Sequence, residues 1–190
     1  MSDTERTTRC VRDRRVRKTR KRVIDAFAKL ARSRPYDEFT VTEVLEEADV
    51  GRSTFYEHYR GKDDLLLSAF AMFHRTMAEC FEHELNGGDR DGRLEFVLEH
   101  FHENRVLFRN LTAGSAADVF RRGTERYARM LAGALEEGAA ATALPIPHVA
   151  AMLAGAHFAL IRAWLDQVPT ENRATDVART LRRINAAALA

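Results

Sequence analysis

The chain of 190 residues is 45% hydrophobic and 31% charged, with ten glycines, four prolines and two cysteines, which excludes collagen-like, low-complexity and disulfide-framework proteins. With no signal-peptide pattern at the start, a reducing, cytoplasmic setting is the expectation. The net charge of +2 hides an imbalance: residues 1–22 hold ten Lys or Arg against three acids, leaving the other 168 residues at −5.

Residues 1–17 read as a basic, flexible arm. Such an arm on a mildly acidic body is the footprint of a polyanion binder, and equally the composition of a solvated tail. Ile24, Phe27, Ala28 and Ala31 follow the i, i+3, i+4, i+7 spacing of a buried helical face, and Pro35 ends that helix shortly after Ser33. Val41, Val44, Leu45 and Ala48 repeat the pattern over a short helix opened by a capping box, Thr40 with Glu43. Asp49-Val50-Gly51 forms a tight break, and a third short helix runs from Arg52 to Tyr59.

A long helix is expected over about Lys62 to Leu85, with Leu66, Ala69, Phe70, Phe73, Met77 and Cys80 on one side and Asn86-Gly87-Gly88 as its stop. Leu94, Val97, Leu98 and Phe101 mark the next helix, Val106 to Leu111 a shorter one, and Tyr127, Met130, Leu131, Ala134 and Leu135 a long one ending near Gly138. From Gly138 to Ile161 no Asp, Glu, Lys or Arg occurs, but Pro145 and Pro147 interrupt the stretch and His148 and His157 lie inside it. It reads as a core or interface helix, too short after the second proline for a membrane span. Pro147 suits the first turn of a helix carrying Val149, Met152, Leu153, Ala156, Leu160 and Trp164, closed by Pro169, and Val177, Leu181, Ile184 and Ala188 define the last. No apolar alternation is long enough for a strand. The fold class is all-α: three helices over 18–62, then a larger bundle over 63–190.

Two short helices joined by a three-residue turn match a helix-turn-helix, whose last helix lies in the major groove of DNA. Phe55 and Tyr59, four apart, can pack back onto Ile24, Phe27, Val44 and Val50, leaving Arg52, Ser53, Thr54, Tyr56 and His58 outward with groups suited to base edges and phosphates. Lys62 starts the long helix, where a cation opposes the helix dipole; a phosphate there, or pairing with Asp63 or Asp64, would account for it. The motif Thr40-Val41-x-x-Val44-x-x-x-Ala48-x-Val50, then Ser53-Thr54-Phe55-Tyr56-x-His58-Tyr59 and Lys62-x-x-Leu65-Leu66, resembles the DNA-binding domain of the TetR/AcrR family of bacterial repressors over about Thr19 to Leu66. Asp49 stands where the family usually has Gly, and Gly51 where it usually has a capping Ser. The resemblance implies that Thr40, Thr42, Tyr56 and Lys62 hold phosphates while Arg52, Ser53, Thr54 and His58 face the groove. Basic residues before the first helix, Arg20 and Arg22 among them, would strengthen backbone or minor-groove contact.

The resemblance also implies a homodimer on a near-palindromic operator, with a ligand pocket in the second bundle. Small Ala and Gly residues beside bulky Leu153, His157, Ile161 and Trp164, with Leu181 and Ile184 on the last helix, fit an intermolecular helical seam as well as an ordinary core. Phe73, Met77, His100, Phe101, Phe108, Phe120, Tyr127, Met130 and Phe158 are the pocket candidates, for a mainly apolar effector. Glu99 and His102 supply one Glu-x-x-His pair where a carboxylate-bridged metal bundle needs two. The expectation is a DNA-binding repressor without cofactor, metal or catalytic residues, whose partners are operator DNA, a second copy and a small effector. An effector-independent architectural DNA binder is the alternative, and a helical metalloenzyme the remote one.

Overall fold

Arginine, lysine and alanine carry the first helix, and neither Gly nor Pro occurs between Asp3 and Ser33 to stop it. In the computed structural model, which describes residues 3–88, 92–167 and 173–189, with side chains from Arg14 onward, α1 therefore spans Asp3–Ser33. The basic segment placed in an arm is continuous with this helix from Asp3 on; the side chain of Cys10 lies outside the described residues. Val23, Ala26, Phe27 and Ala31 form the buried face, one residue around the helix from the expected stripe, with Ile24 and Ala28 at its half-buried edge.

Pro35 ends α1 and leads into a 3-10 turn, Tyr36–Glu38, absent from the sequence expectation. The turn carries Tyr36 and, just beyond it, Phe39 into edge-to-face contact with Phe27, ring centroids 6.3 and 5.5 Å away. Helix α2 (Val41–Ala48) has the expected capping box: Thr40 Oγ1 accepts from the Glu43 amide and the Glu43 carboxylate accepts from the Thr40 amide. Asp49 closes it in the left-handed conformation, φ 50° and ψ 55°. Helix α3 (Arg52–Tyr56) is only five residues long.

Six helices follow: α4 (Lys62–Leu85), α5 (Arg93–Glu103), α6 (Arg105–Asn110), α7 (Ala116–Glu137), α8 (Ile146–Asp166) and α9 (Ala174–Ala188). Among the described residues there is no strand. Helix α7 packs between α4 and α8, and α9 covers α5 and α8. A half-buried triad ties these layers together, Arg182 on α9 reaching Glu84 on α4 at 2.6 Å and Glu95 on α5 at 2.5 Å. Helix α8 is long and apolar enough to cross a membrane by length and composition, yet Val149, Leu153, Ile161 and Leu165 bury one face of it in this bundle. It ends at Asp166; Pro169 lies outside the described residues.

The first three helices join the bundle through α6 and the loop after it. Asn110 Nδ2 donates to the Ala31 carbonyl at 2.8 Å. Asp37 accepts from the amide and hydroxyl of Ser115, and Asp63, which accepts from the Tyr36 hydroxyl, also pairs with Arg122 at 2.8 Å. Of these contacts the Asn110 bond comes from α6, which packs directly on α1.

Candidate functional site

The short α3 divides into two faces because Phe55 and Tyr59 are one helical turn apart. Both are buried, with exposures of 0% and 3%, while Tyr56 between them is 53% exposed. Arg52, Ser53 and Thr42 are exposed; Thr54 and His58 are half-buried at the rim of the same surface. Arg52 donates to Thr42 Oγ1 at 2.9 Å, which links α3 to α2. Arg20 on α1 is exposed and close enough to Tyr59 to act on its phenol electrostatically. These contacts tie Arg52 to Thr42 and bring Arg20 near the segment that carries Ser53, Tyr56 and His58. Thr40 adjoins them, its hydroxyl engaged by the capping box.

Two basic candidates are used differently from the expectation. Lys62 turns inward: its ammonium donates to the carbonyls of Tyr36 and Phe39 and lies 4.1 and 4.7 Å from the centroids of their rings. Burial lowers its pKa, and Asp37 and Asp63 oppose that shift. Its charge satisfies the end of the 3-10 turn rather than reaching toward a phosphate. Arg22 donates to both the carbonyl and the carboxylate of Asp49, each at 2.8 Å, and so holds the left-handed turn. The strained residue thereby gains a partner on its carbonyl and on one carboxylate oxygen.

Within the second bundle Phe73, Phe101, Phe108, Phe120, Tyr127 and Phe158 converge into one aromatic cluster. Met77 is buried beside Tyr127, lining a small void with His157, whereas Met130 is half-buried on α7 and has no part in the ring contacts. His100 is exposed, so it does not face the cluster; its neighbour Phe101 takes the inward position. A cavity of about 390 Å³ lies between the end of α4 and α9, lined by Phe81, Leu85, Arg182, Asn185 and Leu189 among others.

The residue missed from the sequence is His74. It is 1% exposed, stacks on Phe70 and Tyr127, meets Phe158 edge-on, and its Nε2 has no hydrogen-bond partner. Burial, with a smaller contribution from Arg126, pushes its pKa down to about 4, so the imidazole is neutral near pH 7. Gly123 makes room for it: a Cβ there would lie 2.9 Å from His74 Cε1. A glycine inside α7, unfavourable by helix propensity, was the available signal.

The expected dimer residues are monomer core. Leu153, His157, Ile161, Trp164 and Leu181 are all buried within one chain, and Ile184 is half-buried. His157 sits between the Tyr127 hydroxyl at 2.9 Å and Asn185 Oδ1 at 2.6 Å, and Trp164 stacks on His102. The exposed stripe of α8 is instead Met152, Gly155, Ala159, Arg162, Ala163 and Asp166, largely small residues.

Residues 23–69 match the model of the family described as bacterial regulatory proteins, tetR family. The chain is 28% identical over 176 residues to the HTH-type transcriptional repressor KstR of Mycolicibacterium smegmatis, covering 87% of this chain and 84% of KstR. It is 36% identical over 72 residues to YxbF of Bacillus subtilis, an uncharacterized HTH-type transcriptional regulator; that match spans 37% of this chain and only 18% of YxbF. The structure superposes on Thermus thermophilus FadR, a TetR-family repressor in complex with lauroyl-CoA, with a TM-score of 0.56 at 23% identity, over 87% of this chain and 92% of FadR.

Proposed function

This chain belongs to the TetR/AcrR family of bacterial transcriptional regulators, and from that premise we propose that it is a cytoplasmic homodimeric repressor, released from a near-palindromic operator by a small, mainly apolar effector. One observation carries the DNA-binding part: the polar flank of α3 stands in solvent at Arg52, Ser53 and Tyr56 while its apolar flank is buried. Arg52 supplies a guanidinium suited to a base edge, and Tyr56 a hydroxyl suited to a phosphate. Arg20 adds charge on the same side.

On a near-palindromic operator the two reading helices of such a dimer sit about 34–36 Å apart, one turn of duplex. The exposed small-residue stripe of α8 is the surface on which a second copy would pack, in place of the buried residues expected. An effector in the aromatic cluster would push on Phe108 of α6, two residues from Asn110, whose side chain holds the last turn of α1. A ligand preferring one arrangement of α6 thereby shifts the spacing of the reading heads. The FadR complex supports the view that this fold admits a ligand.

Salt-titrated binding tests the proposal, using the operator footprinted next to the chain's own gene and random DNA. Tyr56→Ala weakens both complexes by about tenfold, the cost of a charge-assisted hydrogen bond. Arg52→Ala weakens the operator complex by about tenfold or more and random DNA much less. Equal losses on both DNAs for Arg52→Ala would remove its readout role.

A further inference from the structure

A buried polar atom without a partner is rare in a folded protein, because it loses its hydrogen bonds to water and gains nothing. His74 Nε2 is such an atom, and its setting is specific. Rings of Phe70, Phe73, Tyr127 and Phe158 surround the imidazole. The hydroxyl on the Tyr127 ring is already engaged with His157. Gly123 leaves bare backbone beside Cε1, so α7 gives up helix propensity to keep an imidazole there. A phenylalanine would fill the same space without an orphaned nitrogen.

We propose that His74 Nε2 is the polar anchor of the effector site, and that the effector is a neutral, mainly aromatic molecule carrying one hydroxyl or carbonyl. The proposal rests on the reading of this chain as an effector-responsive regulator. The walls select a flat apolar body, since each offers a ring face or edge. Nε2 selects a single polar atom, because no other unsatisfied buried side-chain atom occurs among the described residues. A neutral imidazole, one of whose nitrogens donates while the other accepts, can bond a hydroxyl in either tautomer or a carbonyl through N–H. A charged group would lose its hydration in this apolar shell, where burial outweighs the charge of Arg126 in its effect on the imidazole. The entry lies between α4 and α5: Phe73 and Phe101 are half-buried with centroids 4.0 Å apart, nearer than the usual range of roughly 4.5–7 Å. Parting that crowded pair exposes His74, which lies 5.7 Å from Phe73.

Calorimetric titration of the full chain with 2-naphthol, 2-methylnaphthalene and 2-naphthoate tests this, with operator binding measured on the same preparations. The wild type is expected to bind 2-naphthol about tenfold tighter than 2-methylnaphthalene, the worth of one buried hydrogen bond, and 2-naphthoate more weakly than 2-naphthol. His74→Phe weakens 2-naphthol alone, so the two neutral probes become equal. Gly123→Ala, which crowds the ring without changing its chemistry, weakens all three. Equal affinities of the neutral probes in the wild type would overturn the anchor, as would a preference that survives in His74→Phe. Protein that binds its operator but none of the probes also overturns it. Protein that binds a probe with the expected preference but no DNA leaves the site standing and removes the regulator reading.

Discussion

Lys62 and His74 are polar side chains placed against aromatic rings, with opposite consequences. The Lys62 ammonium keeps its charge because two carbonyls and two ring faces replace the water it loses. Lys62→Met retains the stem and removes those bonds, so it should cost about 2 kcal/mol of stability while leaving the salt dependence of DNA binding unchanged. A slope reduced by about one unit in log–log form would return Lys62 to the phosphates. His74 has no such replacement and stays neutral. Its pKa falls from 6.5 in the free chain to about 4 in the fold, so between those values the unfolded state binds more protons. Its contribution is complete above about pH 6.5 and is lost as pH falls toward 4, about 3 kcal/mol over the whole window. His157, also lowered by burial but opposed by its bond to Asn185, acts in the same direction. Between pH 7 and pH 5 the wild-type melting temperature should therefore drop by about 4–8 °C. His74→Phe should flatten most of that slope, and equal slopes in the two proteins would place the titration elsewhere.

At the scale of elements, the turn between α2 and α3 sets the angle at which the reading helix leaves the body. Asp49 occupies it at φ 50°, a conformation that disfavours a side chain by about 1–2 kcal/mol, offset in part by the Arg22 contacts, which are exposed and worth about 1 kcal/mol at most. Asp49→Gly removes the strain and the carboxylate contact together and should melt within about 1 kcal/mol of the wild type. Asp49→Ala keeps the strain and loses the carboxylate contact, so it should be destabilised by about 1 kcal/mol. Alanine as stable as glycine here would mean the turn carries no strain. This turn, the Thr40 capping box and the burial of Phe55 and Tyr59 were all legible, because each depends on residues within a few positions of one another. Lys62 was not, since its partners on Tyr36 and Phe39 are backbone carbonyls more than twenty residues away. His74 shares a helical face with Phe70 and Met77, both read as core; its polar type set it aside, and only Gly123 on another helix completes its site. The aromatic cluster was legible as a set of side chains, but not which of its helices holds the unsatisfied atom.

For the whole molecule, the proposed dimer places its demand on the exposed face of α8. Periodicity shows that α8 has two apolar faces but not whether a helix of the same chain or of another covers each. Intramolecular packing covers the face of Leu153, Ile161 and Trp164, which leaves Met152, Gly155, Ala159 and Ala163 outward. Gly155 is informative: among the described residues a Cβ there would meet nothing within 4 Å, so no contact among them requires a glycine in mid-helix, where it costs about 1 kcal/mol against alanine. Close approach of a second helix supplies a reason. Ala159→Arg places a long charged side chain one turn further on and should give a folded monomer by sedimentation, with helicity and melting at low concentration preserved. Operator affinity should fall far more than affinity for a single half-site, since each head still reads but the pair no longer binds together. Ile161→Ala behaves differently: it opens a cavity inside each chain and should lower stability by about 2–5 kcal/mol. If Ala159→Arg sediments as a dimer, the seam lies on another face and the spacing of the reading heads must be set elsewhere.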